Sequence, residues 1–159
     1  QYYGFDFCDV GYIWGVRDEN GLHLYAAGNN NFSNCEHVWA FTENTSTPIV
    51  GDGSWGGKTT FAQSDCSTVN CGSATGLWGS GANDVWVSAY RGSSSCSGQT
   101  GRIYHYDGTA WSMDTTTGLT GTLQPGMISG TASDDVWVNV WDAAVTPATP
   151  KLLHYALTP

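Results

Sequence analysis

The sequence predicts an all-β fold built from about three repeated units, and two observations carry that prediction. The first is composition: the 159 residues include 21 Gly, 8 Trp and 8 Tyr, and only 12% are charged. Such a chain favours short strands with aromatic faces joined by Gly-rich turns. The second is repetition, because the segment around Trp86 returns roughly 50 positions later around Trp137, and a fixed period of this size is typical of stacked repeat architectures.

The second repeat, residues 76–125, carries the clearest strand signals. Runs of β-branched and aromatic residues bounded by turn-forming residues predict four strands, at 76–79, 84–90, 102–106 and 109–113. Asp107-Gly108 lies between the last two, and this dipeptide predicts a hairpin with a two-residue type I′ turn.

The other repeats are less complete. The first repeat, residues 12–50, is a diverged copy with strands predicted at 12–15, 21–26 and 37–41. The third repeat, residues 126–159, reaches its third strand at 152–155 and has no fourth. An N-terminal strand segment (1–11) precedes the first repeat, and the polar residues 51–75 are predicted to be an inserted loop; all these segments belong to one domain, 1–159.

The residues of the second repeat also carry a resemblance. Leu-Trp-Gly-Ser-Gly-Ala-Asn-Asp-Val-Trp-Val (77–87) and Arg-Ile-Tyr-His-Tyr-Asp-Gly-Thr-Ala-Trp (102–111) resemble the Trp-rich repeats of bacterial secreted β-propeller-type proteins. Residues 107–111 are similar in part to the Asp-box turn of propellers. The resemblance covers 76–113 closely and 126–155 and 12–50 less closely. It implies about three propeller-like four-stranded blades, with these residues serving the scaffold rather than catalysis.

Two alternatives to a row of blades stay open. Three repeats of this length also suit a β-trefoil, which closes without a partner. The chain begins at Gln1 without Met or a signal peptide, so it is expected to be a processed product or an excised piece of a longer propeller.

Charge limits the classes of partner. The formal net charge is −9, with only five Lys and Arg, so the chain lacks the cations that nucleic acid or an anionic membrane surface would require. No stretch approaches the length of a membrane-spanning helix. Cations, neutral ligands such as glycans, and other proteins are the remaining candidates.

Five cysteines in a Lys-poor chain indicate an oxidising compartment, so we expect a secreted or cell-surface protein. Cys66 with Cys71 is the first predicted disulfide and Cys8 with Cys35 the second. Cys96 is left over, for an intermolecular bridge or a free thiol. Neither Cys-x-x-Cys nor paired His spacing occurs, which argues against zinc.

The unequal strand counts predict self-assembly. The aromatic segment at the N-terminus would supply the strand that the third repeat lacks, and between chains this pairing gives a ring or an open polymer. The chain is therefore expected to form a homo-oligomer or filament in an extracellular structural or adhesive role. The residues assigned to this pairing are Tyr2, Tyr3, Phe5, Phe7, Leu152, Leu153 and Tyr155.

A lectin-like glycan-binding module is the alternative function. Trp55 falls in the predicted loop beside Asp52, and a loop Trp next to a carboxylate is suited to stacking on a sugar ring.

Other polar residues are interpreted as structural. His105 and His154 occupy equivalent repeat positions, and Asp84 and Asp135 precede equivalent strands. Bound calcium is the functional alternative for the two aspartates. No nucleophile elbow, phosphate loop or dinucleotide motif occurs, so no catalytic residue, metal site or cofactor is predicted.

Overall fold

The computed structural model describes residues 9–29, 36–43, 53–60, 72–91, 100–114, 119, 122–142 and 144–156. These residues form eleven strands in three antiparallel sheets. No helix in this part of the chain is long and apolar enough to span a membrane.

Every sheet is a meander in which strands adjacent in sequence are paired. The first sheet has the order β1-β2-β3-β4 and the second β5-β6-β7-β8, whereas the third has three described strands in the order β11-β10-β9. The strands are β1 (Asp9–Asp18), β2 (Gly21–Asn29), β3 (Glu36–Glu43), β4 (Gly53–Thr60), β5 (Gly72–Gly81), β6 (Asp84–Arg91), β7 (Thr100–Tyr106), β8 (Trp111–Asp114), β9 (Leu123–Ala132), β10 (Asp135–Asp142) and β11 (Thr149–Tyr155).

The core lies between successive sheets. One cluster joins the first sheet to the second and contains Tyr25, Ala27, Val38, Val85, Val87 and Tyr104. The other joins the second to the third and contains Trp86, Ile103, Ile128, Val136, Val138 and Val140. Burial of these two faces supplies the main stabilisation, since apolar side chains contribute about 1.5–3 kcal/mol each when fully buried.

The predicted all-β fold with repeated antiparallel sheets is confirmed, whereas neither the propeller-like arrangement nor the alternative trefoil is. Contacts run from the first sheet to the second through β1, β2 and β5, and from the second to the third through β5, β6, β7 and β9. The three described sheets do not close into a propeller ring or a trefoil barrel.

A tryptophan on the first strand of one sheet lies over a glycine on the first strand of the next. A Cβ at Gly79 would lie 2.8 Å from Cη2 of Trp14, and a Cβ at Gly130 would lie 2.7 Å from Cη2 of Trp78. Because the same contact recurs at both junctions, the glycines are the recesses that receive the indole rings.

Buried hydroxyl groups tie the sheets together at both junctions. Tyr25 donates to the carbonyl oxygen of Ala82 at 2.6 Å, and Ser88 on β6 donates to that of Gly126 at 2.6 Å. Burial raises the pKa of Tyr25 to about 12, with a smaller contribution from the neighbouring Tyr106.

The prediction that residues 51–75 form a loop is wrong for two parts of the segment. Residues 53–60 form β4, and β5 begins at Gly72. Trp55 lies directly opposite Phe41 on β3, with ring centroids 5.4 Å apart. A cross-strand aromatic contact of this kind stabilises a strand whose own Gly-rich sequence has little strand propensity.

The predicted hairpin between β7 and β8 is confirmed, but its two-residue turn is wrong. Tyr106 pairs with Trp111, so four residues form the loop. The Asp107 carboxylate accepts from the backbone N–H groups of Thr109 and Ala110 at 2.8 and 2.9 Å. These bonds lower the pKa of Asp107, that from Ala110 contributing most, and an aspartate that caps its own loop favours this wider turn.

Candidate functional site

The main polar cluster of the second sheet is centred on Asp84, at the start of β6. One carboxylate oxygen, Oδ1, accepts from the indole Nε1 of Trp86 at 3.0 Å and lies 2.6 Å from Nε2 of His105. The other oxygen accepts from the hydroxyl of Ser80. Strand pairing places Trp86 opposite His105, and their rings stack with centroids 4.0 Å apart.

The third sheet repeats this cluster around Asp135. Its Oδ1 accepts from the indole Nε1 of Trp137 at 2.8 Å and lies 2.8 Å from Nε2 of His154, while Thr131 donates to Oδ2. The Trp137 and His154 rings stack at 3.9 Å. The hydroxyl of Thr131 is the largest cause of the lowered pKa of Asp135, followed by His154 and Trp137.

The two clusters differ in their covering. Trp86 is only 2% exposed because the third sheet packs on it, and its ring lies 4.8 Å from that of Tyr155. Trp137, at the equivalent position, is 41% exposed. The same four-residue arrangement is thus an interior junction in one sheet and a surface feature in the other.

The first sheet replaces the cluster with an ion pair. Gly21 and His23 are the first and third residues of β2, as Asp84 and Trp86 are of β6. Glu43 accepts from both terminal nitrogens of Arg17 at 2.8 and 2.9 Å. Glu43 also accepts from the backbone N–H of Leu22 at 2.8 Å. The bidentate pair fixes the end of this sheet at the same hairpin that the aspartate cluster fixes in the others.

The cluster geometry does not activate a nucleophile. In a hydroxyl–imidazole–carboxylate relay the imidazole lies between the other two groups. Here Ser80 and His105 both contact the carboxylate of Asp84, and the same holds for the second cluster. The carboxylates therefore act as acceptors that hold three strands together.

The calcium alternative gains no support from this arrangement. Ser or Thr, Trp and His donors already occupy the carboxylates of Asp84 and Asp135. Within the described ranges, no group of three or more His, Cys, Asp or Glu residues could hold a metal ion.

The predicted assembly residues of β11 lie on both faces of the third sheet. Leu153 and Tyr155 pack into the junction with the second sheet, whereas Leu152 is 68% exposed on the opposite face. Trp55, predicted to be an unpacked loop residue, is half-buried on β4. Other predicted residues lie outside the described part of the chain: Tyr2, Tyr3, Phe5, Phe7, Cys8, Cys35, Asp52, Cys66, Cys71 and Cys96.

The pairing of each aspartate with a histidine and a tryptophan was missed from the sequence. The signal was the joint presence of Asp, Trp and His at fixed repeat positions in the second and third repeats, and their joint absence in the first. To infer the cluster from these positions one must know the strand register, which places Trp137 opposite His154.

In comparisons with protein-family models, curated proteins and solved structures, no match to the chain was found.

Proposed function

We propose that this chain is a secreted, non-enzymatic subunit of an extracellular assembly or adhesive structure, in which chains join by strand pairing at β11. The observation that carries the proposal is the unequal size of the sheets. Among the described residues β11 is an edge strand, whereas β7, its equivalent in the second sheet, is flanked by β8. An edge strand offers backbone N–H and C=O groups to another chain.

Charge and burial at this edge support an apolar, salt-tolerant association. The exposed Leu152 lies beside Lys151, whose ammonium is 3.7 Å from Asp142. Each chain carries a formal net charge of −9, so identical chains repel one another at low ionic strength. Salt screens that repulsion over about 10 Å at 0.1 M, and assembly is therefore expected to strengthen as salt rises.

A peptide competition experiment tests the proposal. Free thiols are blocked, and the purified chain is followed by sedimentation velocity and negative-stain microscopy across a concentration series. A synthetic peptide of residues 1–8, with Ser at position 8, is then added in excess. We expect filaments or rings that shorten with this peptide and not with a scrambled one.

Deletion of residues 1–8 should also abolish assembly. A wild-type chain that stays monomeric at the highest concentration would overturn the proposal. The lectin-like alternative gains no observation from the structure, because Trp55 is packed against Phe41. Glycan binding by the monomer, lost in Trp55→Ala, would establish it instead.

A further inference from the structure

The third sheet presents an apolar outer face, which we define as Met127, Ser129, Trp137, Asn139 and Leu152. Strand alternation places these side chains opposite the buried residues of β9 and β10. Met127 is 68% exposed and Trp137 is 41% exposed. Three large apolar side chains in one patch are typical of an interaction surface.

The corresponding faces of the other two sheets are interfaces. Trp86, the equivalent of Trp137, is buried against the third sheet, and Ser88, the equivalent of Asn139, donates to a carbonyl of that sheet. In the first sheet Tyr25, which pairs with Trp14 as Trp86 pairs with Trp78, donates to the second sheet. The outer face of the third sheet therefore has the position and the chemistry of a third junction.

The first sheet presents the complementary surface along β1 and the start of β2, its outer face, which we define as Ile13, Gly15, Leu22 and Leu24. Farther across the same side, Ala26, Trp39 and Phe41 are at most 9% exposed. Strand pairing makes Leu24 and Ala26 the equivalents of Val85 and Val87 in the second sheet and of Val136 and Val138 in the third. Both equivalent sets are buried in the junctions between sheets.

Ile13 gives the clearest sign that this second surface is built for a partner. Its equivalents, Leu77 and Ile128, pack into the junctions with the preceding sheets. Ile13 itself is 67% exposed. Two junctions join the three sheets, and each junction is formed by two faces. The first and third sheets each carry one such face that has no neighbouring sheet among the described residues.

The outer faces of the third and first sheets also match in the size of their side chains. At the interior junctions a tryptophan lies over a glycine, Trp14 over Gly79 and Trp78 over Gly130. On the third sheet the tryptophan position is Ser129, and on the first sheet the space above Gly15 is occupied by Cδ2 of Leu24. The third sheet therefore lacks the tryptophan ring, and the first sheet lacks the empty space above its glycine that such a ring would need.

We infer that the outer face of the third sheet docks on the outer face of the first sheet of a second copy of this chain. The inference rests on the proposed assembly function and names a face-to-face contact in addition to strand pairing. Because the two surfaces differ, the contact is head-to-tail, and it closes into a ring or continues as a filament according to the rotation between copies.

Two charge variants that each block one face test this docking. Ile13→Asp blocks the first sheet and Met127→Asp blocks the third, and both positions are exposed, so the fold tolerates them. Each variant alone should associate at least tenfold more weakly than the wild type in sedimentation velocity. Their mixture should form a 1:1 dimer that does not grow, since each partner keeps one intact face. Val145→Asp, an exposed apolar residue outside both faces, is the matched control.

A size swap tests the fit itself. Ser129→Trp should weaken association at least tenfold because the ring meets Leu24, and the added change Leu24→Ala should restore most of the loss. Assembly that survives both charge variants and Ser129→Trp, yet is lost on deletion of 1–8, would overturn face docking and leave the proposed function standing. A mixture of the charge variants that stays monomeric overturns docking as well. A wild-type chain that is monomeric throughout overturns the proposed function.

Discussion

The duplicated aspartate cluster allows a stability prediction with an internal reference. Asp84→Ala removes the acceptor for Trp86, His105 and Ser80 together. The indole N–H of Trp86 is then buried without a partner, and an unsatisfied buried donor costs about 1–3 kcal/mol. The histidine and serine are more exposed and rebond to water, so they add less. We expect a total loss of about 2 kcal/mol.

Asp135→Ala removes the same bonds from the third sheet, and its effect should be clearly smaller. Trp137 is 41% exposed, so its N–H reaches water once the carboxylate is gone. The comparison isolates burial, because the two clusters share the same chemistry and nearly the same geometry.

Urea unfolding of dilute, monomeric protein, followed by Trp fluorescence, measures both losses. A loss of about 2 kcal/mol corresponds to a fall in Tm of roughly 4–8 °C for a domain of this size. Asp134→Ala, which removes a neighbouring exposed carboxylate, controls for charge. Equal losses for Asp84→Ala and Asp135→Ala, or a larger loss for the latter, would refute the reasoning that burial sets the cost.

Three further predictions concern packing and pH. Gly79→Ala should cost about 1–3 kcal/mol in denaturant unfolding, since its Cβ collides with Trp14, whereas Gly11→Ala, which meets nothing within 4 Å, should cost far less. Tyr25→Phe should cost about 1–2 kcal/mol by losing its bond to the second sheet. Because the folded pKa of Tyr25 is about 12 against 10.0, the wild-type advantage should shrink as pH rises from 10 to 12. Threonine, histidine and tryptophan donors hold the pKa of Asp135 below 3.8. Stability from this group is therefore present above pH 3.8 and lost as pH falls through the folded pKa, and Asp135→Asn should flatten that acid limb.

The strands that the sequence predicts well are those rich in β-branched and aromatic residues and bounded by turn-forming residues. In β10 alternating Val residues bury one face, in β6 both faces are buried, and turn residues mark the ends of each strand. β4 was missed because its stability comes from a partner distant in sequence, Phe41 opposite Trp55. Local propensity carries no trace of such a contact.

In the candidate site, too, some features are visible in the local sequence and others depend on partners distant in sequence. Asp84 and His105 were each recognisable as repeat positions in the sequence, and their structural interpretation is consistent with the bonds found. That they share one carboxylate with Trp86 follows from strand register, and a shift by one residue would turn the indole to the other face. The complementary outer faces require knowledge of which sheet packs on which, which periodicity alone does not provide.

The meander topology has a consequence for synthesis of the chain. Since every strand pairs with its neighbour in sequence, each sheet closes only short loops and can form as soon as its last strand leaves the ribosome. The first sheet is complete once residue 60 has emerged, but the residues that cover Tyr25 and Val38 arrive with β5, β6 and β7. Between residues 60 and 106 the nascent chain therefore carries an apolar sheet face that is not yet fully covered, and in this interval we expect a chaperone to bind it.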